Sequence, residues 1–202
     1  MSDTPAGQRV VEFWFDVGSP YSYLAAKALP AIAQAAGATV SWRPMLLGGV
    51  FKATGNQSPM VVPAKARWTA HDLERQAARI GVPFRLNPHF PINTMVLMRG
   101  AAGYAMRGDR ALAPYLDAVF RAMWVDGRDL GDPAQAASVL ADAGIDPVAF
   151  EALVADPQVK DKLKRDTEEA VSRGVFGAPS FFVGDQLFWG QDRLEAVAAA
   201  LR

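Results

Sequence analysis

The sequence predicts a mixed α/β fold: a strand–helix–strand unit and a helix–hairpin–helix unit, separated by an all-helical stretch over 47–156. Three observations carry that reading. The run Val10-Val11-Glu12-Phe13-Trp14-Phe15-Asp16 is β-branched and aromatic, as a buried strand is. After the turn Val17-Gly18, Ser19-Pro20-Tyr21-Ser22 opens a helix, with serine at the N-cap and proline at the first helical position. Toward the other end, Ser180-Phe181-Phe182-Val183, a Gly184-Asp185 turn and 186–189 form a hairpin.

The first helix is alanine-rich to Ala36, with a kink or break expected at Pro30 and a stop at Gly37. Residues 39–42 make a second strand, parallel to the first across the helix. A long loop over 45–63 holds Gly48-Gly49 and Gly55-Asn56, with a short helix around 51–54. Helices follow at 64–80, with Leu73, Ala77 and Ile80 on one face, then at 94–107, 110–125, 133–143 and 147–155. Asp109 and Asp132 are expected N-caps. A charged amphipathic helix covers 157–173, where Lys160, Lys162, Lys164 and Arg165 interleave with acids as a solvated face. A capping box of Asp192 and Glu195 is expected to open the last helix, which runs to about Leu201. This order gives a thioredoxin-like βαβ…αββα domain, 8–46 and 157–202, with a large all-helical insertion at 47–156.

Composition excludes several functions. Lys+Arg and Asp+Glu balance at 21 each, so the chain lacks the basic footprint of a nucleic-acid binder. No apolar run is long enough to span a membrane, and 1–5 show no basic-then-apolar leader. A cytoplasmic location is the expectation. The cysteine count of zero rules out disulfides, thiolate metal sites and a protein thiol nucleophile. With only two histidines, His71 and His89, no metal site is expected.

Three segments can carry chemistry. Ser19 and Ser22 stand at the two ends of a C-x-x-C spacing, with oxygen replacing sulfur. A serine cannot exchange disulfides. At a helix N-terminus it can donate a hydrogen bond to a thiolate that a ligand brings, or it can simply cap the helix. Gly177-Ala178-Pro179-Ser180 puts a proline just before a strand, a place where cis prolines occur. Facing the first helix, Ala178 would offer its N–H and C=O to an extended ligand, as an added strand does. Trp189-Gly190-Gln191-Asp192-Arg193 can cap the last helix. It can also set a carboxylate against a ligand ammonium, and a guanidinium and helix N–H groups against a ligand carboxylate. Phe120 and Trp124 have helical spacing and read as core.

The segments Phe15-Asp16-Val17-Gly18-Ser19-Pro20-Tyr21-Ser22-Tyr23-Leu24-Ala25 and Leu47-Gly48-Gly49-Val50-Phe51-Lys52-Ala53-Thr54-Gly55-Asn56 resemble those of 2-hydroxychromene-2-carboxylate isomerases. So do Val175-Phe176-Gly177-Ala178-Pro179-Ser180-Phe181 and Trp189-Gly190-Gln191-Asp192-Arg193. These are glutathione-dependent relatives of kappa-class glutathione transferases and DsbA-type oxidoreductases, and the resemblance covers 10–202. It implies glutathione as cofactor, a small aromatic substrate from aromatic-hydrocarbon breakdown, and a homodimer. It implies that Ser19 hydrogen-bonds the glutathione sulfur, that Ala178 and Pro179 bind its cysteinyl backbone, and that Trp189, Gly190, Gln191, Asp192 and Arg193 hold its γ-glutamyl end. For the aromatic substrate it points to Lys52, Asn56, Lys65, Arg67, Phe90 and Asn93, with His89 beside them. One family pattern carries tyrosine where Phe90 stands, so a phenol donor is missing here. The implied reaction interconverts 2-hydroxychromene-2-carboxylate and trans-o-hydroxybenzylidenepyruvate-type compounds by reversible thiolate addition. The alternatives are a kappa-class-like transferase or peroxidase, and a non-catalytic glutathione- or peptide-binding protein.

Overall fold

The computed structural model describes residues 9–202; the leader reading of 1–5 and the expected domain start at 8 lie outside the described residues. Four strands form one sheet: β1 (Arg9–Phe15), β2 (Ala38–Pro44), β3 (Ser180–Val183) and β4 (Gln186–Trp189), in the order β2-β1-β3-β4. β1 pairs parallel with β2 and antiparallel with β3, which pairs antiparallel with β4. The first pair needs a crossover, and α1 (Pro20–Ala35) supplies it. Between β2 and α8 (Pro157–Ser172) come α2 (Leu47–Thr54), α3 (Pro63–Ile80), α4 (Met95–Met106), α5 (Asp109–Arg121), α6 (Pro133–Asp142) and α7 (Pro147–Ala155). After the hairpin, α9 (Leu194–Ala200) closes the chain.

The period-two alternation of β1 separates two cores. Val11, Phe13 and Phe15 face one way, where Phe13 stacks on Phe181 at 5.4 Å between centroids. That core continues from the sheet into Leu97, Val119, Phe120 and Trp124 of the intervening helices. Trp14 faces the other way, with Met45, Val50, Ala170, Val175 and Phe182 under α8. There the Arg43 and Arg173 guanidiniums lie over the Trp14 and Phe182 rings.

Four local expectations are revised. α1 runs through Pro30 without a break: Pro30 is exposed, and Leu29 and Ala33 on the opposite side are buried in the core, which outweighs the one backbone bond proline forfeits. Asp109 is the first residue inside α5 rather than its cap, because Gly108, at φ 93°, takes the cap position. Helix 110–125 ends as α-helix at Arg121 and continues as a π-turn, Ala122–Asp126. The box of Asp192 with Glu195 does not form: Gln191–Arg193 are a 3-10 turn, and α9 starts at Leu194 without a side-chain cap. Asp132 does cap α6, accepting from Ala134 N–H.

The π-turn ties the inserted helices to the sheet. It aims the fully buried Trp124 so that its Nε1–H donates to Val17 C=O at 2.9 Å, in the corner between β1 and α1. Replacing it with Phe orphans a buried carbonyl and leaves a small cavity. Trp124→Phe is expected to lower stability by about 1–3 kcal/mol, read as a lower urea midpoint with unchanged slope.

Candidate functional site

β1 ends at a corner where the backbone turns from the sheet into α1. Ser19 is the N-cap of that helix, extended at φ −94° and ψ 115°, and its Oγ accepts from Ser22 N–H at 3.2 Å. Ser19 N–H itself donates to Asp16 C=O at 3.0 Å. The Ser19 hydroxyl donates its proton to Ala178 C=O at 3.1 Å, across 159 positions of sequence. The helix start and the loop before β3 therefore meet at one oxygen. The Ala178–Pro179 peptide bond is cis, as is Phe90–Pro91. The sequence predicts that Ala178 offers both N–H and C=O; its C=O is engaged by Ser19. Among the described residues its N–H takes no partner, and neither does that of Tyr21.

A cleft of about 800 Å³ opens over this contact. It brings together Ser19, Ala178, Pro179, Trp189, Gly190, Gln191, Asp192 and Arg193, the whole set assigned from sequence to glutathione. Gly177 lies flat against the Trp189 indole; a Cβ there would collide with the ring. Phe176 packs on the other part of Trp189, with centroids 4.8 Å apart. Gly190 takes φ 104°, a conformation that favours glycine, and donates its N–H to Pro179 C=O at 3.0 Å. The Asp192 carboxylate lies 3.6 Å from the Arg193 guanidinium, both half-exposed at the cleft.

Of the six residues assigned to the aromatic substrate, Asn56, Lys65 and Phe90 line the cleft, while Lys52, Arg67 and Asn93 lie off its wall. Helix geometry explains the split. α3 presents Ala64, Lys65, Trp68, Thr69, Asp72, Leu73 and Gln76 at three- and four-residue spacing, which turns Arg67 away. α2 presents Leu47 and Phe51, which turns Lys52 away. Asn93 is spent at the start of α4, accepting from Met95 N–H at 2.9 Å. Asn56 has its amide engaged as well: Nδ2 donates to Phe176 C=O at 2.8 Å, tying the end of α2 to the proline loop. Phe90 meets Trp124 edge-on at 5.4 Å, so it is the cleft's contact with the core. His89 turns away, with Nδ1 3.6 Å from Asp129.

Sequence reasoning missed Tyr21 and Asp72. Tyr21 OH donates to Asp72 Oδ2 at 2.8 Å, and Arg75 reaches Oδ1 at 3.3 Å. Asp72 is buried, and both Tyr21 and Asp72 line the cleft. Burial first, then the bond to Asp72, pushes the Tyr21 phenol well above its ordinary 10.0, so it stays a neutral donor. An acid inside an amphipathic helix was the only available signal, and it reads as solvated surface until α1 is folded against α3.

The DsbA-like thioredoxin domain family matches residues 10–202. The chain belongs to that family. It is 35% identical to the 2-hydroxychromene-2-carboxylate isomerase of Sphingobium xenophagum, over 96% of this chain and 98% of that one. A solved structure of a 2-hydroxychromene-2-carboxylate isomerase superposes with a TM-score of 0.84 at 31% identity, covering 95% of this chain and 94% of the other. The human kappa-class glutathione S-transferase is 29% identical over 96% of this chain and 91% of its own. Within the DsbA-like family, then, the chain sits with the isomerases. Among the described residues no acid or histidine cluster could hold a metal ion, and no helix is long and apolar enough to cross a membrane.

All four tyrosines of the chain (Tyr21, Tyr23, Tyr104 and Tyr115) have phenols raised by burial. A raised folded pKa favours the neutral phenol in the fold, so stability falls as pH climbs past the ordinary value of 10.0. Alkaline titration at 295 nm is expected to show Tyr21 and Tyr115 ionising only as the circular dichroism of the fold is lost, with Tyr23 and Tyr104 ionising above the ordinary value. Four tyrosinates formed while the circular dichroism is still that of the fold contradict this.

Proposed function

We propose that the protein is a glutathione-dependent isomerase that interconverts 2-hydroxychromene-2-carboxylate and trans-o-hydroxybenzylidenepyruvate-type compounds. The observation that carries this reading is the meeting of the Ser19 hydroxyl with Ala178 on the floor of one cleft. That arrangement fits an extended thiol peptide. Ala178 N–H is free for a backbone acceptor, and the Asp192–Arg193 pair offers both signs of charge to a zwitterionic end. Held there, the tripeptide would supply a thiolate able to add to a conjugated carbon of the substrate and, once the former double bond has turned, to leave again as that double bond re-forms.

The chain's own residues do the rest. Ser19 has one hydroxyl proton, which is given to Ala178 C=O while its lone pair accepts from Ser22. To serve a thiolate it turns that proton into the cleft and releases the Ala178 carbonyl, which then accepts a ligand N–H. The N-terminus of α1 and Tyr21 N–H favour negative charge at the same place. Lowering a bound thiol by one pKa unit takes about 1.4 kcal/mol of preferential stabilisation, within reach of one charge-assisted hydrogen bond. Lys65, on the α3 wall, is the cation available to the carboxylate and the developing enolate of the substrate. Phe51, Leu86 and Phe90 give the aromatic ring an apolar wall. A cytoplasmic homodimer is part of the same proposal.

A kappa-class-like transferase is the second reading, favoured by similarity to the human kappa enzyme. Product mass separates the two: isomerisation returns glutathione unchanged, whereas transfer leaves a conjugate. Ser19→Ala is expected to keep glutathione affinity within about threefold by calorimetry, since it loses one contact of many. Turnover should fall by about tenfold or more, as loss of a charged hydrogen bond made to the thiolate does. Glutathione binding without turnover of any chromene or electrophile would leave a binding protein. No binding at millimolar glutathione would end the proposal.

A further inference from the structure

Asp16 is 1% exposed and has no cation beside it. A buried carboxylate so placed is tolerated only where donors converge on it. Three neutral donors do: Gly18 N–H reaches Oδ1 at 2.8 Å, and Leu47 N–H and the Thr94 hydroxyl reach Oδ2 at 2.8 Å and 3.1 Å. They come from three separate parts of the chain. Gly18 precedes Ser19. Leu47 is the first residue of α2, whose cap residue Leu46 has no side chain able to cap it. Thr94 precedes α4, likewise without using its side chain as a local cap. Asp16 thus caps α2 from outside that helix, and α2 carries Leu47 and Phe51 into the cleft wall. The packing leaves little slack, because a Cβ on Gly18 would stand 2.6 Å from Thr94 Cγ2.

We propose that Asp16 is a positioning residue whose ionised carboxylate holds the Ser19 corner against the start of α2, so that the cleft keeps its working geometry only while Asp16 is unprotonated. This rests on the isomerase reading of the Ser19 cleft. The charged side chains of the surrounding elements are Arg9 and Glu12 on β1, Lys27 on α1, Arg43 on β2, Lys52 on α2, Arg99 on α4 and Asp126 on the π-turn. None of them exerts a resolved charge effect on Asp16; burial and the three donors do. Burial dominates and raises the carboxyl above 3.8, while the donors pull it back. The consequences for stability and for activity have opposite signs. The fold binds this proton more tightly than the unfolded chain, so the group's contribution to stability is full below pH 3.8 and is lost as pH rises through the folded pKa. Activity is instead lost as pH falls through that same pKa, because protonation turns three charge-assisted bonds into weaker ones. Loss of activity through Asp16 in acid is therefore not, by this group's own linkage, a loss of the fold.

The test follows kcat of the full chain on 2-hydroxychromene-2-carboxylate at saturating glutathione from about pH 8 to about pH 4, with circular dichroism at each point. Titration of the thiol is common to all the proteins compared, so differences between variants report Asp16. Asp16→Asn is expected to keep its fold, lose about tenfold or more in kcat and lose the acid limb that belongs to Asp16. Thr94→Val removes one donor while preserving shape, and is expected to move the acid limb to higher pH. Asp16→Asn with the kcat and acid limb of the unaltered chain overturns the inference. If Asp16→Asn does not fold, Thr94→Val decides, and an unmoved acid limb overturns it. An unaltered chain without glutathione-dependent turnover overturns the isomerase reading and this inference together. Turnover with both variants unaffected overturns this inference alone.

Discussion

Four residues, Asp16 to Ser19, have to turn a buried strand into a helix in the middle of the protein. Asp16 and Val17 are buried there, so their polar groups need partners from the chain itself. Val17 N–H lies 3.3 Å from Met98 Sδ, and Val17 C=O accepts from Trp124. Gly18 N–H goes to the Asp16 side chain and Ser19 N–H to the Asp16 carbonyl. Met98 and Trp124 belong to the helices between β2 and α8, so the corner is complete only when those helices are docked on the sheet. The N-terminus of α1 is thereby held open toward the cleft, with Ser19 as its cap.

The cleft floor comes from the sheet corner and the proline loop, and its wall from α2 and α3. Asn56 closes the seam between wall and floor through Phe176 C=O. Negative charge on the α3 side, at Asp72, is shielded by Tyr21 and Arg75. Lys65 lies on the cleft wall of that same helix. The cleft thus offers unpartnered backbone N–H groups and the N-terminus of α1 together with Asp192 beside Arg193.

Much of the site was legible because its residues are contiguous in short, unusual segments. Ser19 with Pro20 is a helix start that propensity alone dictates. Ala178 with Pro179 stands before a strand marked by Phe181 and Phe182. The wall was less legible. Lys52, Arg67 and Asn93 looked as eligible as Lys65, because a polar residue in sequence carries no information about which side of its helix meets the cleft. The docking angle of α2 and α3 decides that. Tyr21 and Asp72 lie 51 positions apart, and nothing in either segment announces the other.

By itself the amino-acid order determined the elements and their succession: β-branched and aromatic runs, proline at helix starts and glycine at turns act over a few residues, and the succession constrains the sheet. The same order determined that any thiol in the chemistry must come from outside, since no cysteine is present. Only the tertiary structure decided that α1 passes Pro30 intact, that Asp192 faces the cleft instead of capping α9, and that Asp16 joins three segments. The physical reason is common to all three. Each outcome depends on what a distant segment buries or donates, and those energies exist only once the chain has closed on itself.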